Sequence, residues 1–157
     1  MQTESAFPAV EPPFGRDLIE SILPHRDPFL WVSRVVACDP GASIVAELDV
    51  DESLALFQGH FPAHPVLPGV IIMEALAQAA SISILLGRSS QGAIGFLTGI
   101  DGAKFRRQVV PGDVLRLEAT IVKSSSRLCV AETTALVNGE VCATATQKYV
   151  LAAPERA

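Results

Sequence analysis

The sequence predicts an α+β domain in which an antiparallel sheet wraps one long buried helix. Three observations carry that prediction. Residues 69–86, GVIIMEALAQAASISILL, hold a single charge in 18 positions and run for a helix's length. After residue 93 the chain divides into strand-like runs separated by Asp101-Gly102, Pro111-Gly112-Asp113, a serine run and Asn138-Gly139, all of them turn chemistry. Finally, 157 residues that are 49% apolar and 18% charged suffice for one core but not for two, and are too apolar for a disordered chain.

The elements follow in order. Residues 1–15 contain Pro8, Pro12 and Pro13, which cannot sustain a backbone ladder, so a loose arm is expected before a single domain at 16–157. Residues 17–23 (DLIESIL) show apolar side chains at helical spacing, and Pro24 confines them to a short helix. A strand at 30–38 turns at Asp39-Pro40-Gly41-Ala42 and returns at 43–50 as a hairpin. An irregular stretch through QGHFPAHPVLPG leads to Pro68, which costs little at a helix start, and Gly87 with the polar run to 92 ends that helix.

Strands are expected at 93–98, 103–110, 114–123, 127–137 and 140–151. The Asn138-Gly139 turn sets Val137 opposite Glu140, and a constant register then puts Cys129 across from Lys148 and Cys142 across from Ala135. The two thiols stay apart, and no disulfide is expected. Leu128, Val130, Leu136, Val141, Ala143, Ala145 and Tyr149 form the face expected to pack inward. A sheet of this kind has open edges, so dimerisation is expected to complete the shielding of so apolar a helix.

A net charge of -5 argues against nucleic acid as a partner, which needs a dominant basic footprint. Bases do outnumber acids between residues 88 and 127, which fits either an acidic partner or a solvated strand face. Residues 69–86 reach the lower length limit for a bilayer, yet Glu74 and Gln78 share one helix face and no basic anchors or aromatic belts flank it. We therefore read the segment as a buried helix rather than a membrane span. Cys38, Cys129 and Cys142 are an odd and sparse set and the N-terminus lacks a secretory signal, so a reducing, cytoplasmic setting is expected.

His25, His60 and His64 are the histidines. His60 and His64 have the spacing of a helical metal pair, but Pro62 and Pro65 break any helix there and no cysteine cluster adds ligands, so no metal is expected. His60 sits between Gly59 and Phe61-Pro62, and 14 residues on Glu74 occupies the second turn of an otherwise apolar helix. A carboxylate there must be paired, protonated or turned to a cleft; acid–base work is one explanation, a salt bridge to an arginine the other. The helix start at Pro68-Gly69-Val70 offers free N–H groups to a developing oxyanion.

These residues carry a resemblance. GHFPAHPVLPGVIIMEALAQAA closely resembles the signature of the beta-hydroxyacyl carrier protein dehydratases of the hotdog fold. LPHRDPFLWVSRV resembles that family's opening strand region, and GIDGAKFRRQVVPGDVLRLEA its central strands. The resemblance spans about 23–151 and implies a sheet around the 69–86 helix, edge-to-edge dimers, often three to a particle, and active sites shared across each dimer. By motif position it implies His60 as the main acid/base residue, Glu74 from the partner subunit as the second, Gly69 as N–H donor to the thioester carbonyl, and Gln78 as orienter of Glu74 or its water. Neutral His60 can act as base, and Glu74 can donate a proton if apolar surroundings raise its pKa.

The implied reaction removes water from a 3-hydroxyacyl thioester on acyl carrier protein without a cofactor, because the thioester itself acidifies C2. The acyl chain would occupy an apolar tunnel, with Lys104, Arg106 and Arg107 meeting the acidic carrier protein at its mouth. The sequence departs from the family at Asp27, where an aromatic is common, at Ser33, where Asp is, and at Gln108, where Pro is. These bear on tunnel shape, chain length or pathway rather than on dehydration. The resemblance also implies less double-bond isomerisation, since the helix acid is Glu74 and not the Asp of the related dehydratase that isomerises. Two alternatives are a hotdog thioesterase, against which the GHFP histidine argues, and a non-catalytic acyl-binding subunit, which has no need of an acid/base pair.

Overall fold

The computed structural model describes residues 10–88 and 93–153. Residues 1–9 of the expected arm and 89–92 of the expected helix exit lie outside them. The elements are α1 (Arg16–Ile22), β1 (Arg34–Asp39), β2 (Ser43–Asp49), a 3-10 turn (Ala55–Gln58), α2 (Gly69–Leu86), β3 (Ile94–Phe105), β4 (Val114–Ser124), β5 (Leu128–Val137) and β6 (Glu140–Ala152). All neighbouring strands are antiparallel, in the order β1-β2-β4-β5-β6-β3. The sheet wraps α2, which packs chiefly against β4, β2 and β5; this is the hotdog fold.

Small side chains let the helix come close. Ala46, Ala119, Cys129, Ala131, Ala135 and Ala143 are buried on the sheet's concave side, beneath a helix of which only Gly69, Val70, Ile71 and Glu74 are not buried. Although α2 is long and apolar enough to cross a membrane, 78% of it is buried inside the fold. At its C-terminal end the turn between β1 and β2 closes on it, with the Gly41 N–H donating to the Ser83 carbonyl at 2.9 Å.

Four local expectations are corrected. Residue 14 is not loose: Phe14 and Val35 exchange backbone hydrogen bonds of 3.1 and 2.9 Å. The Ser33 N–H still reaches the Glu47 carbonyl of β2 at 2.8 Å, but residues 30–32 do not extend β1, because other groups claim their backbone. Gln78 takes the Trp31 N–H at 2.8 Å, and Arg16 takes the Leu30 and Val32 carbonyls at 3.0 and 3.1 Å.

Asp101-Gly102 is not a turn between two strands either. The chain continues as one 12-residue strand whose register against β6 shifts between Asp101 and Lys104, with Gly102 at φ 61°. This is a bulge, in which a left-handed glycine absorbs the extra residue. Ladder pairing stops at Phe105, so the expected strand at 103–110 does not form.

The last hairpin starts as expected, with Val137 opposite Glu140 around Asn138 (φ 50°) and Gly139 (φ 80°). A shift after Leu136 then advances the register by one, so Cys129 faces Tyr149 and Ala135 faces Ala143, leaving Cys142 in the bulge. The inward face of β5 is accordingly Cys129, Ala131, Thr133, Ala135 and Val137; Leu128, Val130 and Leu136, expected inside, point outward with Val141, while Ala143, Ala145 and Tyr149 do face the core. A one-residue slip exchanges faces, and the helix selects the face with the smaller side chains. All three cysteines are free thiols.

Candidate active site

His60 follows the 3-10 turn, and local backbone bonds hold it. Its N–H donates to the Leu56 carbonyl at 3.0 Å, and its own carbonyl accepts the Val66 N–H at 3.1 Å. The ring stacks on Phe61 with centroids 4.0 Å apart, and Nδ1 lies 2.8 Å from the Val66 carbonyl oxygen. A carbonyl can only accept, so Nδ1 carries the hydrogen, and in the neutral ring Nε2 presents its lone pair. That is the tautomer a general base requires. His64, by contrast, is exposed and contacts Gln108 at 3.1 Å through Nε2.

The Leu67 N–H donates to the Val109 carbonyl at 2.8 Å, fastening the chain just before α2 to the segment after β3. Pro68 then caps the helix through its carbonyl, which accepts from Ile71 and Ile72. The N–H groups of Gly69 and Val70 have no intrahelical acceptor, as at any helix start. They open on a cavity of about 540 Å³ lined by Val66, Gly69, Val70, Phe105, Arg106 and Val109. Phe105 lies so close over Gly69 that a Cβ there would sit 2.7 Å from its ring.

Glu74 faces elsewhere. Its carboxylate lines a cavity of about 40 Å³ with His25, Ala77, Gln78, Ser81 and Tyr149. The Gln78 amide is buried and fully engaged: Nε2 donates to Glu74 Oε1 at 3.0 Å and to the Phe29 carbonyl at 2.9 Å, while its oxygen accepts from Trp31. The arginine expected as the structural alternative is not Glu74's partner. The ionisable neighbour is His25, whose Nε2 stands 3.7 Å from Glu74 Oε1. Burial pushes the His25 pKa down, against the opposing pull of Glu74 and with a smaller contribution from Arg26.

The single chain thus gathers Gly69 with the mouth residues, and Glu74 with Gln78 and His25. Among the described residues no hydrogen bond or ion pair joins His60 to Glu74. Lys104 and Arg106 are exposed without side-chain ion pairs among the described residues, and Arg106 lines the Gly69 cavity. Arg107 is already committed, with Nε 2.9 Å from Glu140 and Nη1 3.5 Å from Asp113. Among the described residues no cluster of three or more His, Cys, Asp or Glu is placed to hold a metal.

Sequence reasoning missed His25. The signal was available, since a carboxylate in an apolar helix calls for a polar partner and His25 is one of only three histidines.

A hotdog domain with a histidine in the loop that leads to the helix start and a carboxylate inside the central helix defines an acyl-thioester enzyme class. Comparisons with known proteins narrow this. A FabA-like domain model matches residues 23–146. A "3-hydroxyacyl-[acyl-carrier-protein] dehydratase FabZ" of Ruminiclostridium cellulolyticum is 44% identical over 133 residues, covering 85% of this chain and 94% of that protein. Its namesake in Clostridium kluyveri is 47% identical over 124 residues, covering 79% and 86%. The chain belongs to the FabA-like family of 3-hydroxyacyl-acyl-carrier-protein dehydratases.

Among solved structures, the dehydratase heterocomplex ApeI:P from Xenorhabdus doucetiae superposes with a TM-score of 0.75 at 20% identity, covering 88% of this chain and 91% of that one. A hypothetical thioesterase with coenzyme A from Streptococcus pneumoniae gives 0.59 at 13% identity, covering 78% and 87%. At such identities the likeness shows the shared fold alone.

Proposed function

We propose that this protein removes water from (3R)-3-hydroxyacyl thioesters on acyl carrier protein, giving trans-2-enoyl thioesters for fatty-acid or related lipid synthesis in the cytoplasm. The observation that carries the reading is His60, tied by Nδ1–H to Val66 with no hydrogen bond to Nε2 among the described residues, in the loop that leads to the open N–H of Gly69.

Nε2 of His60 takes the C2 proton, and the electron pair of that C–H bond becomes the C2–C3 double bond as the C3–O bond breaks. Negative charge developing on the thioester oxygen is met by the Gly69 N–H and the positive end of α2. Glu74 of the partner subunit protonates the departing hydroxyl, which leaves as water, and the proton on His60 then restores the carboxylic acid. Gln78 holds the carboxyl at its angle. The separation of His60 from Glu74 within one chain supports a site completed in a homodimer, and three such dimers would give a hexamer. Lys104 and Arg106 are the docking cations for the acidic carrier protein; Arg107, held by Glu140 and Asp113, shapes the loop instead. No cofactor takes part, since the thioester supplies the acidity.

The test is hydration of a short enoyl thioester, followed by loss of enoyl absorbance and by release of free thiol. Wild type is expected to hydrate without thiol release, and His60→Ala and Glu74→Gln to fall by ~10²-fold or more, the scale of a lost acid–base group. Free thiol would make the protein a thioesterase. Inactivity on carrier-linked substrates of every length would leave an acyl-binding role.

A further inference from the structure

Glu74 sits beside a histidine to which the reaction above gives no role. We propose that His25 is a positioning residue for Glu74: its ring N–H and the Gln78 amide converge on one carboxyl oxygen, Oε1, leaving Oε2 to carry the proton that the reaction moves. The proposal rests on the dehydratase reading and deepens it.

Gln78 fixes half of this arrangement. Its oxygen is taken by the Trp31 N–H at 2.8 Å and its nitrogen also serves the Phe29 carbonyl at 2.9 Å, so the amide cannot turn round. The nitrogen that meets Glu74 Oε1 at 3.0 Å therefore donates, and that oxygen accepts.

His25 supplies the other half. Its Nε2 faces the same oxygen at 3.7 Å, while its Nδ1 is buried with no hydrogen-bond partner among the described residues. Burial favours the neutral ring, which has one hydrogen to place. On Nδ1 that hydrogen would be an unpaired buried donor, and the Nε2 lone pair would oppose a carboxyl oxygen; on Nε2 it points at Glu74. The charged or titratable groups around the ring are Glu74 from α2, Arg26 from its own loop and Tyr149 from β6. Tyr149, whose pKa burial raises far above neutrality and whose hydroxyl donates to Gln147, adds no charge.

A separation of 3.7 Å exceeds a hydrogen bond, but the cavity of about 40 Å³ between His25, Glu74, Ser81 and Tyr149 has room for one bridging water. Direct or bridged, the donors fall on one oxygen. A carboxyl group with one oxygen saturated by donors presents its proton from the other.

The test compares His25→Phe, which keeps a ring without an N–H, with His25→Gln, whose amide nitrogen reaches the Nε2 position. Both are made in wild-type and Glu74→Gln backgrounds and assayed by enoyl thioester hydration. The expected result is a kcat about tenfold lower for His25→Phe with KM within about twofold, recovery of most of kcat in His25→Gln, and no further loss in the Glu74→Gln background. Unchanged kcat in folded His25→Phe, equal losses in both variants, or an additional loss without Glu74 would each overturn the proposal. Should His25→Phe not fold, His25→Leu replaces it under the same criteria. Wild-type activity lost on Glu74→Gln alone, with His25 indifferent, refutes only this proposal, whereas an inactive wild type refutes the dehydratase reading beneath it.

Discussion

Gly69 and Phe105 show how much of the site depends on single side chains. A Cβ at position 69 would meet the Phe105 ring at 2.7 and 3.0 Å, contacts with the movable end of a half-exposed side chain rather than with backbone. The ring can swing, so the fold tolerates the change, but it swings into the cavity where, in the proposed reaction, the thioester carbonyl reaches the helix N–H. Gly69→Ala is therefore expected to lower kcat/KM by on the order of 10²-fold, as loss of an oxyanion donor does, while the thermal midpoint stays close to wild type. Steady-state kinetics alongside a melting curve checks both halves. His60 and Glu74 could be proposed from the sequence because acid–base chemistry selects few residue types and the proline-rich motif around His60 is distinctive. His25 was not, because its meaning depends on a contact with a residue 49 positions away.

Among the elements, α2 ends against backbone. A Cβ on Gly87 would lie 2.9 Å from both the Cα and the N of Gly41, in the turn that joins β1 to β2. Neither partner can rotate away, and Gly41 is itself at φ +79° with its N–H held by Ser83. Gly87→Ala is expected to destabilise the fold by about 1–3 kcal/mol, the usual cost of forcing atoms into a packed contact, with a lower urea midpoint and an unchanged m-value. The bounds of α2 could be read from its apolar run and its Pro68 and Gly87 ends, which are local signals. The slip in the β5–β6 register and the bulge at Gly102 could not. They answer to where the helix lies, and Asp101-Gly102 has the same composition in a turn as in a bulge.

At the scale of the whole molecule, Gly69 and Glu74 line separate cavities of one chain, and β3 is an edge strand with Phe96, Ile100 and Phe105 about half exposed. Both facts fit sites assembled between subunits. If each site takes His60 from one subunit and Glu74 from the other, a heterodimer of His60→Ala and Glu74→Gln chains contains one intact site and one doubly defective site. Random remixing of the two inactive variants is then expected to restore about a quarter of wild-type activity, since half of the dimers are mixed and each has one working site of two. Activity that stays at the level of the separate variants would place both residues in one chain's site.

The sequence by itself determined the helix, the turns at Asp39–Ala42 and Asn138-Gly139 and the membership of a thioester-handling family, and it nominated His60 and Glu74 as the acid–base pair. All of these rest on information carried within a few residues: a run of apolar side chains, a turn dipeptide, a histidine among prolines. Only the tertiary structure decided which strand face turns inward, where β3 bends instead of ending, that Arg107 is spent on Glu140 and Asp113, and that Glu74 answers to Gln78 and His25 rather than to an arginine. Those choices depend on partners distant in the chain, which compete for the same face, backbone group or charge, and packing against one buried helix settles the competition.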